Sequence, residues 1–282
     1  MTDIDELLRF LKEDAPTGDV TSEAIIPDVM CTAVIRAEQD GILAGIEEAS
    51  LLFSHRGVTI TLRKNDGTRV RKGDIVLSLS GAAKEILLVE RTALNILGRM
   101  SGIATRTSDI VAIVRTINPT CRVAGTRKTS PGFRRFDKKA VQIGGGDPHR
   151  MNLSDGILIK DNHLALVTLE EALRAARNHS AYKKIEIEVE SAADAVKAAS
   201  AGADIIMLDN MTPGQVQETL SELKDKGLRN RVTIEISGGI DEGSLRNYAA
   251  CCVDVISMGA LTHTVKNFSL SLEIRPVRTD NK

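Results

Sequence analysis

Between Gly125 and His163 the chain concentrates cations and glycines in three short blocks, GTRKTSPG, GGGDPHR and KDNH. Arg127 and Arg150 are built for planar two-point contacts with a carboxylate or phosphate, Lys128 and Lys160 supply mobile point charges, and His149 joins them. Such a set suits a small, multiply charged anion. Glu186 and Glu188 interrupt the apolar run IEIEV, and Asp209 follows IIML. Charged groups among Ile, Leu and Val are costly to bury without partners, so they mark a functional rim. Glu188 and Asp209 can hold sugar hydroxyls, bind the water shell of a divalent cation or stabilise a cationic transition state. A structural ion pair with Lys128 or Lys160 is the alternative. Ser237-Gly238-Gly239 and Met258-Gly259-Ala260 each precede a helix start, where free amides bind phosphate or the glycines merely reverse the chain. The triple glycine Gly144-Gly145-Gly146 is open to the same two readings. His149 and His163 lack a set of three soft or imidazole ligands at suitable spacing, which argues against histidine-centred metal chemistry.

These residues need a scaffold that brings strand ends together. From residue 122 onward, apolar strand candidates (Arg122–Gly125, Gly156–Ile159, Lys184–Val189, Asp204–Leu208, Val232–Ile236 and Asp254–Ser257) alternate with amphipathic segments, among them Leu169–Asn178, Ala192–Ala201, Pro213–Lys226 and Glu242–Ala250. The alternation predicts a parallel sheet closed wholly or partly into a barrel, with the site at the carboxyl ends of its strands. Arg134, Arg135, Lys138 and Lys139 lie on a predicted helix and read as a solvated basic face. The first hundred residues differ: short β-rich runs at Thr32–Arg36, Gly57–Leu62 and Asp74–Leu79 are divided by turn signals at Asp66-Gly67 and Gly73. Apolar residues from Ile86 to Val114 recur at helical spacing, with a break expected near Ser101-Gly102, and form a helical bridge. The expected division is a first domain over 1–105, a barrel over 106–265 and a terminal segment, 266–282, packing back on the first domain.

Composition narrows the function further. The 282 residues carry 37 basic and 38 acidic side chains, a net charge of -1, so no global field draws the protein to nucleic acid or an acidic membrane. Trp is absent and aromatics make up 2%, leaving few platforms for stacking bases. Cys31, Cys121, Cys251 and Cys252 form no C-x-x-C pair and read as free buried thiols in a reducing cytoplasm. The first residues lack the pattern of a signal peptide, and no apolar run approaches the roughly 20 residues of a membrane helix. A cytoplasmic protein is expected.

The blocks GTRKTSPG, GGGDPHR, LSDGILIKDNH (Leu153–His163) and SGGI (Ser237–Ile240) together resemble the signature of the quinolinate phosphoribosyltransferase family. EDAPTGDVTS, ERTALNILGRMSGIAT and MGALTH match it in order and spacing, so the resemblance spans essentially the whole chain. It implies an α/β fold, with an amino-terminal α/β sandwich followed by an incomplete α/β barrel of the type II phosphoribosyltransferases. It also implies magnesium-dependent transfer of phosphoribose from phosphoribosyl pyrophosphate to quinolinate, with loss of carbon dioxide, in NAD biosynthesis. By motif, Arg127, His149, Arg150 and Lys160 grip the quinolinate carboxylates and Lys128 lies between the substrates. Glu188 and Asp209 face the ribose and Mg2+, while Ser237, Gly238, Gly259 and His263 cradle the 5-phosphate. Arg91 is implied to reach a neighbouring subunit's site in a homodimer or a hexamer of dimers. The chain departs from the usual pattern at Asp147-Pro148 and at Ser130. A molybdenum-associated branch of the fold is the alternative, disfavoured by Lys160, Asn162 and His163. A noncatalytic anion-binding protein would be expected to lack one of the catalytic charges, and all are present.

Overall fold

The computed structural model describes residues 4–276. Residues 277–282, the end of the expected terminal segment, lie outside the described residues. The chain divides into two compact units, one made of residues 4–108, Gln142–Gly144 and 265–276, the other of Asp109–Val141 and Gly145–Thr264.

The first unit contains a four-stranded antiparallel sheet in the order Leu270–Pro276, Met30–Ala37, Ile75–Ala82, Thr59–Arg63. Its second strand alternates, burying Cys31, Ala33, Ile35 and Ala37, as period-two chemistry requires of a sheet with one packed face. Helix Ile46–His55 buries Ile46, Ala49, Leu52 and Phe53, the spacing of one helical stripe. The helical bridge is a single element, Ala83–Ile117, with no break at Ser101-Gly102. That pair makes close contacts instead. Ser101 Oγ both accepts from the Ala44 amide and donates to the Ala44 carbonyl, each at 3.0 Å. A Cβ on Gly102 would lie 2.3 Å from the Lys266 carbonyl oxygen, and one on Gly98 would lie 3.1 Å from that of Phe268. The glycines let a neighbouring segment's backbone approach the helix, a use that sequence alone does not distinguish from a break.

The second unit is a six-stranded parallel sheet. Its strands are β1 (Arg122–Ala124), β2 (Ile157–Ile159), β3 (Ile185–Val189), β4 (Ile205–Asp209), β5 (Thr233–Ser237) and β6 (Val255–Ser257). Their order is β1-β6-β5-β4-β3-β2, so β1 and β2 are the edges of an open barrel. Each agrees with its expected span to within one residue at either end. Asp147 bridges to Ala124 in parallel, its amide donating to the Val123 carbonyl at 2.7 Å, so the loop before β2 covers the free edge of β1. Thr168, Ser191, Thr212 and Asp241 cap the helices that return the chain between β2 and β6. The triple glycine ends helix Arg134–Ile143: Gly145 is left-handed (φ 86°), and the Gly146 amide donates back to the Val141 carbonyl at 3.0 Å. Chain reversal is therefore its local function.

Two further expectations are overturned. The basic helix face is not solvated: none of Arg134, Arg135, Lys138 and Lys139 is exposed, and Lys138 is fully buried. Cys31, Cys121 and Cys251 are buried free thiols, whereas Cys252 is exposed at a left-handed turn position. Among the described residues no helix is long and apolar enough to cross a membrane.

Candidate active site

Alternate residues along β2, β4 and β5, counting Lys160 just past β2, point into one space. Leu158 and Lys160, Met207 and Asp209, and Glu235 and Ser237 are two apart and all line a cavity of about 780 Å³. The register sets Glu188 and Glu235 each opposite Met207, and Ser237 opposite Asp209. Polar groups therefore occupy successive levels of the inner face, while Ile187, Ile206, Ile234 and Ile236 pack on the other. Thr126, Arg127 and Lys128 follow β1 into the same cavity, and His149 and Arg150 enter from the loop beside it.

On the cationic side, the Nε of Arg127 is buried with no hydrogen-bond partner among the described residues. Arg150 Nη1 donates to the Gly156 carbonyl at 3.2 Å, and burial, then the nearby Arg127 charge, lowers its pKa against Glu186, Glu188 and Asp155. A guanidinium nitrogen left without a partner beside a second arginine favours the arrival of an anion. Lys160 donates to Glu188, so the structural pairing weighed for these charges is present. The Lys160 amide donates to Nδ1 of His163 at 2.9 Å, which ties His163 to the placement of Lys160.

A buried acid pair, Glu186 and Glu235, meets His149 at the cavity wall. His149 Nε2 stands 3.4 Å from Glu235 Oε1 and 3.6 Å from Glu186 Oε2, and Ser257 Oγ donates to Glu235. Burial lowers the imidazole pKa, but the hydrogen bonds and charges of Glu186 and Glu235 outweigh it and carry the value to about 10. Nδ1 meanwhile accepts the Arg150 amide at 2.8 Å, a bond that a second ring proton has to displace. The ligand atoms of this trio lie within 4.8 Å of one another, a grouping made by the topology and invisible in the spacing. Glu235 was not among the expected site residues; its signal was one acidic residue inside TIEIS.

The remaining expected residues fall into two groups. Asp209 accepts from Asn210 Nδ2 at 2.8 Å, and Asn210 is left-handed (φ 52°). A Cβ on Gly238 (φ 94°) would meet Asn210 Oδ1 at 2.2 Å, so this loop requires glycine for space as well as for conformation. Gly259 and His263 do not line the cavity. They stand behind Lys128, since a Cβ on Gly259 would lie 3.0 Å from the His263 ring and 3.1 Å from Lys128 Cδ. Thr262 Oγ1 donates to the Lys128 carbonyl at 2.8 Å, completing that support. Arg91 belongs to the other unit, where it is exposed on helix Ala83–Ile117.

Comparison with known proteins agrees with this geometry. Residues 19–101 match the N-terminal domain of quinolinate phosphoribosyl transferase, and residues 103–273 match its C-terminal domain. A relative from Methanothermobacter thermautotrophicus, named "Probable nicotinate-nucleotide pyrophosphorylase (carboxylating)", is 45% identical over 98% of this chain and 100% of its own. One of the same name from Archaeoglobus fulgidus is 47% identical over 92% and 99%. The crystal structure of NadC from Streptococcus pyogenes superposes with a TM-score of 0.90 at 36% identity, covering 99% of this chain and 100% of that one. With both domains matched in order and the fold shared from end to end, the chain belongs to the quinolinate phosphoribosyltransferase family.

Proposed function

We propose that this protein transfers phosphoribose from phosphoribosyl pyrophosphate to quinolinate and releases pyrophosphate and carbon dioxide, forming nicotinate mononucleotide for NAD biosynthesis. The observation that carries the reading is the cavity itself, where Arg127, Arg150, Lys128 and Lys160 line one space with Glu188 and Asp209. The cations match a planar dianion, and the carboxylates match a sugar that becomes positive.

Arg127, His149, Arg150 and Lys160 receive the two carboxylates of quinolinate, with Lys160 exchanging Glu188 for substrate. Lys128 sits between the acid and the phosphoribosyl donor. Ser237 and Gly238 bind the 5-phosphate, and Gly259 and His263 act from behind Lys128. As pyrophosphate leaves, positive charge grows on the ribose, and Glu188 and Asp209 stabilise it at the cavity wall. The glycosylated ring nitrogen is then cationic and stabilises the electron pair that the breaking carbon–carboxylate bond leaves on the adjacent ring carbon; carbon dioxide departs and that carbon takes up a proton from solvent.

Glu188 and Asp209 also fit magnesium, which takes hard oxygen ligands and is commonly held by one or two carboxylates together with substrate phosphates. When bound it would neutralise pyrophosphate charge. Arg91 completes the acid site of a partner subunit in a homodimer. The test is incubation of the purified protein with quinolinate, phosphoribosyl pyrophosphate and magnesium, with nicotinic acid in parallel. Nicotinate mononucleotide should appear from quinolinate and not from nicotinic acid; no product from quinolinate overturns the reading.

A further inference from the structure

Lys138 lies on helix Arg134–Ile143 at 0% exposure, among the largest fully buried side chains of the protein. Removing an ammonium from water costs several kcal/mol, and an unbranched apolar side chain such as Met would fill similar space without that cost. Stability alone therefore gives no reason for a lysine. Its Nζ donates to the backbone carbonyl of Pro148.

Pro148 sits at a demanding point of the chain. The preceding residue, Asp147, is fixed on both sides: its amide bonds to Val123, its carbonyl accepts from Gly125 at 2.9 Å, and its carboxylate pairs with Arg122 at 2.6 Å. The following residue, His149, is left-handed at φ 56°, a conformation costly for a residue with a Cβ. Asp147 Oδ1 accepts the His149 amide at 2.8 Å, and Lys138 takes up the Pro148 carbonyl between them. The turn that delivers His149 and Arg150 to the cavity is thus held by two side chains, Asp147 at the His149 amide and Lys138 at the Pro148 carbonyl.

We propose that Lys138 is a positioning residue for acid binding: by holding the Pro148 carbonyl it fixes the strained turn from which His149 and Arg150 engage the substrate carboxylates. This rests on the functional reading above. The charge environment supports it. Burial first, then repulsion from Arg134, lowers the Lys138 pKa to about 8, with Asp147 and Asp155 opposing and Arg127 adding to the fall. A cation tolerated among like charges beside the acid-binding residues fits a site whose ligand is a dianion.

Steady-state kinetics of Lys138→Met and Lys138→Gln, with each substrate varied, test the idea. Lys138→Met should raise KM for quinolinate about tenfold or more, leave KM for phosphoribosyl pyrophosphate within about twofold, and melt at or above the wild-type temperature. Lys138→Gln, which keeps an N–H donor, should recover part of the loss. Quinolinate KM within about twofold of wild type in both variants overturns the proposal, as does an equal rise in both KM values. Loss of the fold in both variants assigns Lys138 to stability and overturns it equally. Wild-type turnover of quinolinate is the control; its absence refutes the functional reading and takes this inference with it.

Discussion

The two sheets use polar residues in different ways. In the antiparallel sheet's unit, Ser101 is buried and answered locally, bonded both ways to one backbone residue, and the glycines beside it make room for another segment. In the parallel sheet, the inner face carries Glu186, Glu188, Asp209 and Glu235, and a guanidinium nitrogen of Arg127 has no partner among the described residues. Neither region satisfies every buried polar atom, since Ser50 Oγ and Thr107 Oγ1 in the first unit, like Arg127 Nε and Glu186 Oε1 in the second, have no hydrogen-bond partner among the described residues; what sets the second apart is that Arg127 lines a cavity shared with Arg150, Lys160, Glu188 and Asp209. Buried charge that the fold does not neutralise is a mark of binding and chemistry rather than of stability.

Breaking the second region should cost activity first. Arg127→Ala or Lys160→Ala is expected to lower quinolinate turnover by about 100-fold or more with little change in melting temperature, and near-normal activity in either would refute their placement in the acid site. The first region should respond in the opposite sense. Gly102→Ala forces a Cβ to within 2.3 Å of the Lys266 carbonyl, so urea denaturation should show a loss of about 1–3 kcal/mol with both KM values unchanged. A variant as stable as wild type would contradict the close-packing account.

A pH series separates the two regions without mutation. The folded His149 pKa of about 10 exceeds the ordinary 6.5, so its pairing with Glu186 and Glu235 contributes full stability below 6.5 and is lost as pH rises through 10. The melting temperature should fall over that window, and Glu235→Gln should flatten the slope; an unaltered slope would discount the pair. The smallest effect is expected at a cap. Ser191 Oγ accepts the Asp194 amide at 3.1 Å at the start of helix Ala192–Ser200, so Ser191→Ala should cost about 1 kcal/mol and leave KM unchanged. A shift in KM would show that this loop also shapes the site.

Much of the catalytic unit was legible because strand and helix periodicities are local. Six apolar runs became six strands, and the cations after β1 and β2 reached the cavity because strand ends of a parallel barrel converge. The family signature was legible for the same reason, as contiguous blocks. Three features were not. Ser101-Gly102 looked like a helix break because a glycine's packing partner lies far along the chain. Lys138 looked solvated because its composition and helix gave no sign of the Pro148 carbonyl it meets. Glu235 carries no signal in the sequence beyond one acidic residue in a strand, which gains meaning only when β5 is set beside the loop bearing His149.

The sequence by itself determined the alternation of six strands with helices in the second unit, a parallel sheet closed wholly or partly into a barrel, and the chemical kinds gathered at its mouth, since each follows from periodicity, turn chemistry and residue type over a few neighbours. Tertiary structure alone decided which charges are paired and which are left for a ligand. Lys160 is held by Glu188, His149 by two glutamates from β3 and β5, and Lys138 by a carbonyl ten residues on, while Arg127 keeps an open donor. Those outcomes depend on distance and burial across segments remote in sequence, where a shift of an ångström separates a satisfied group from a binding site.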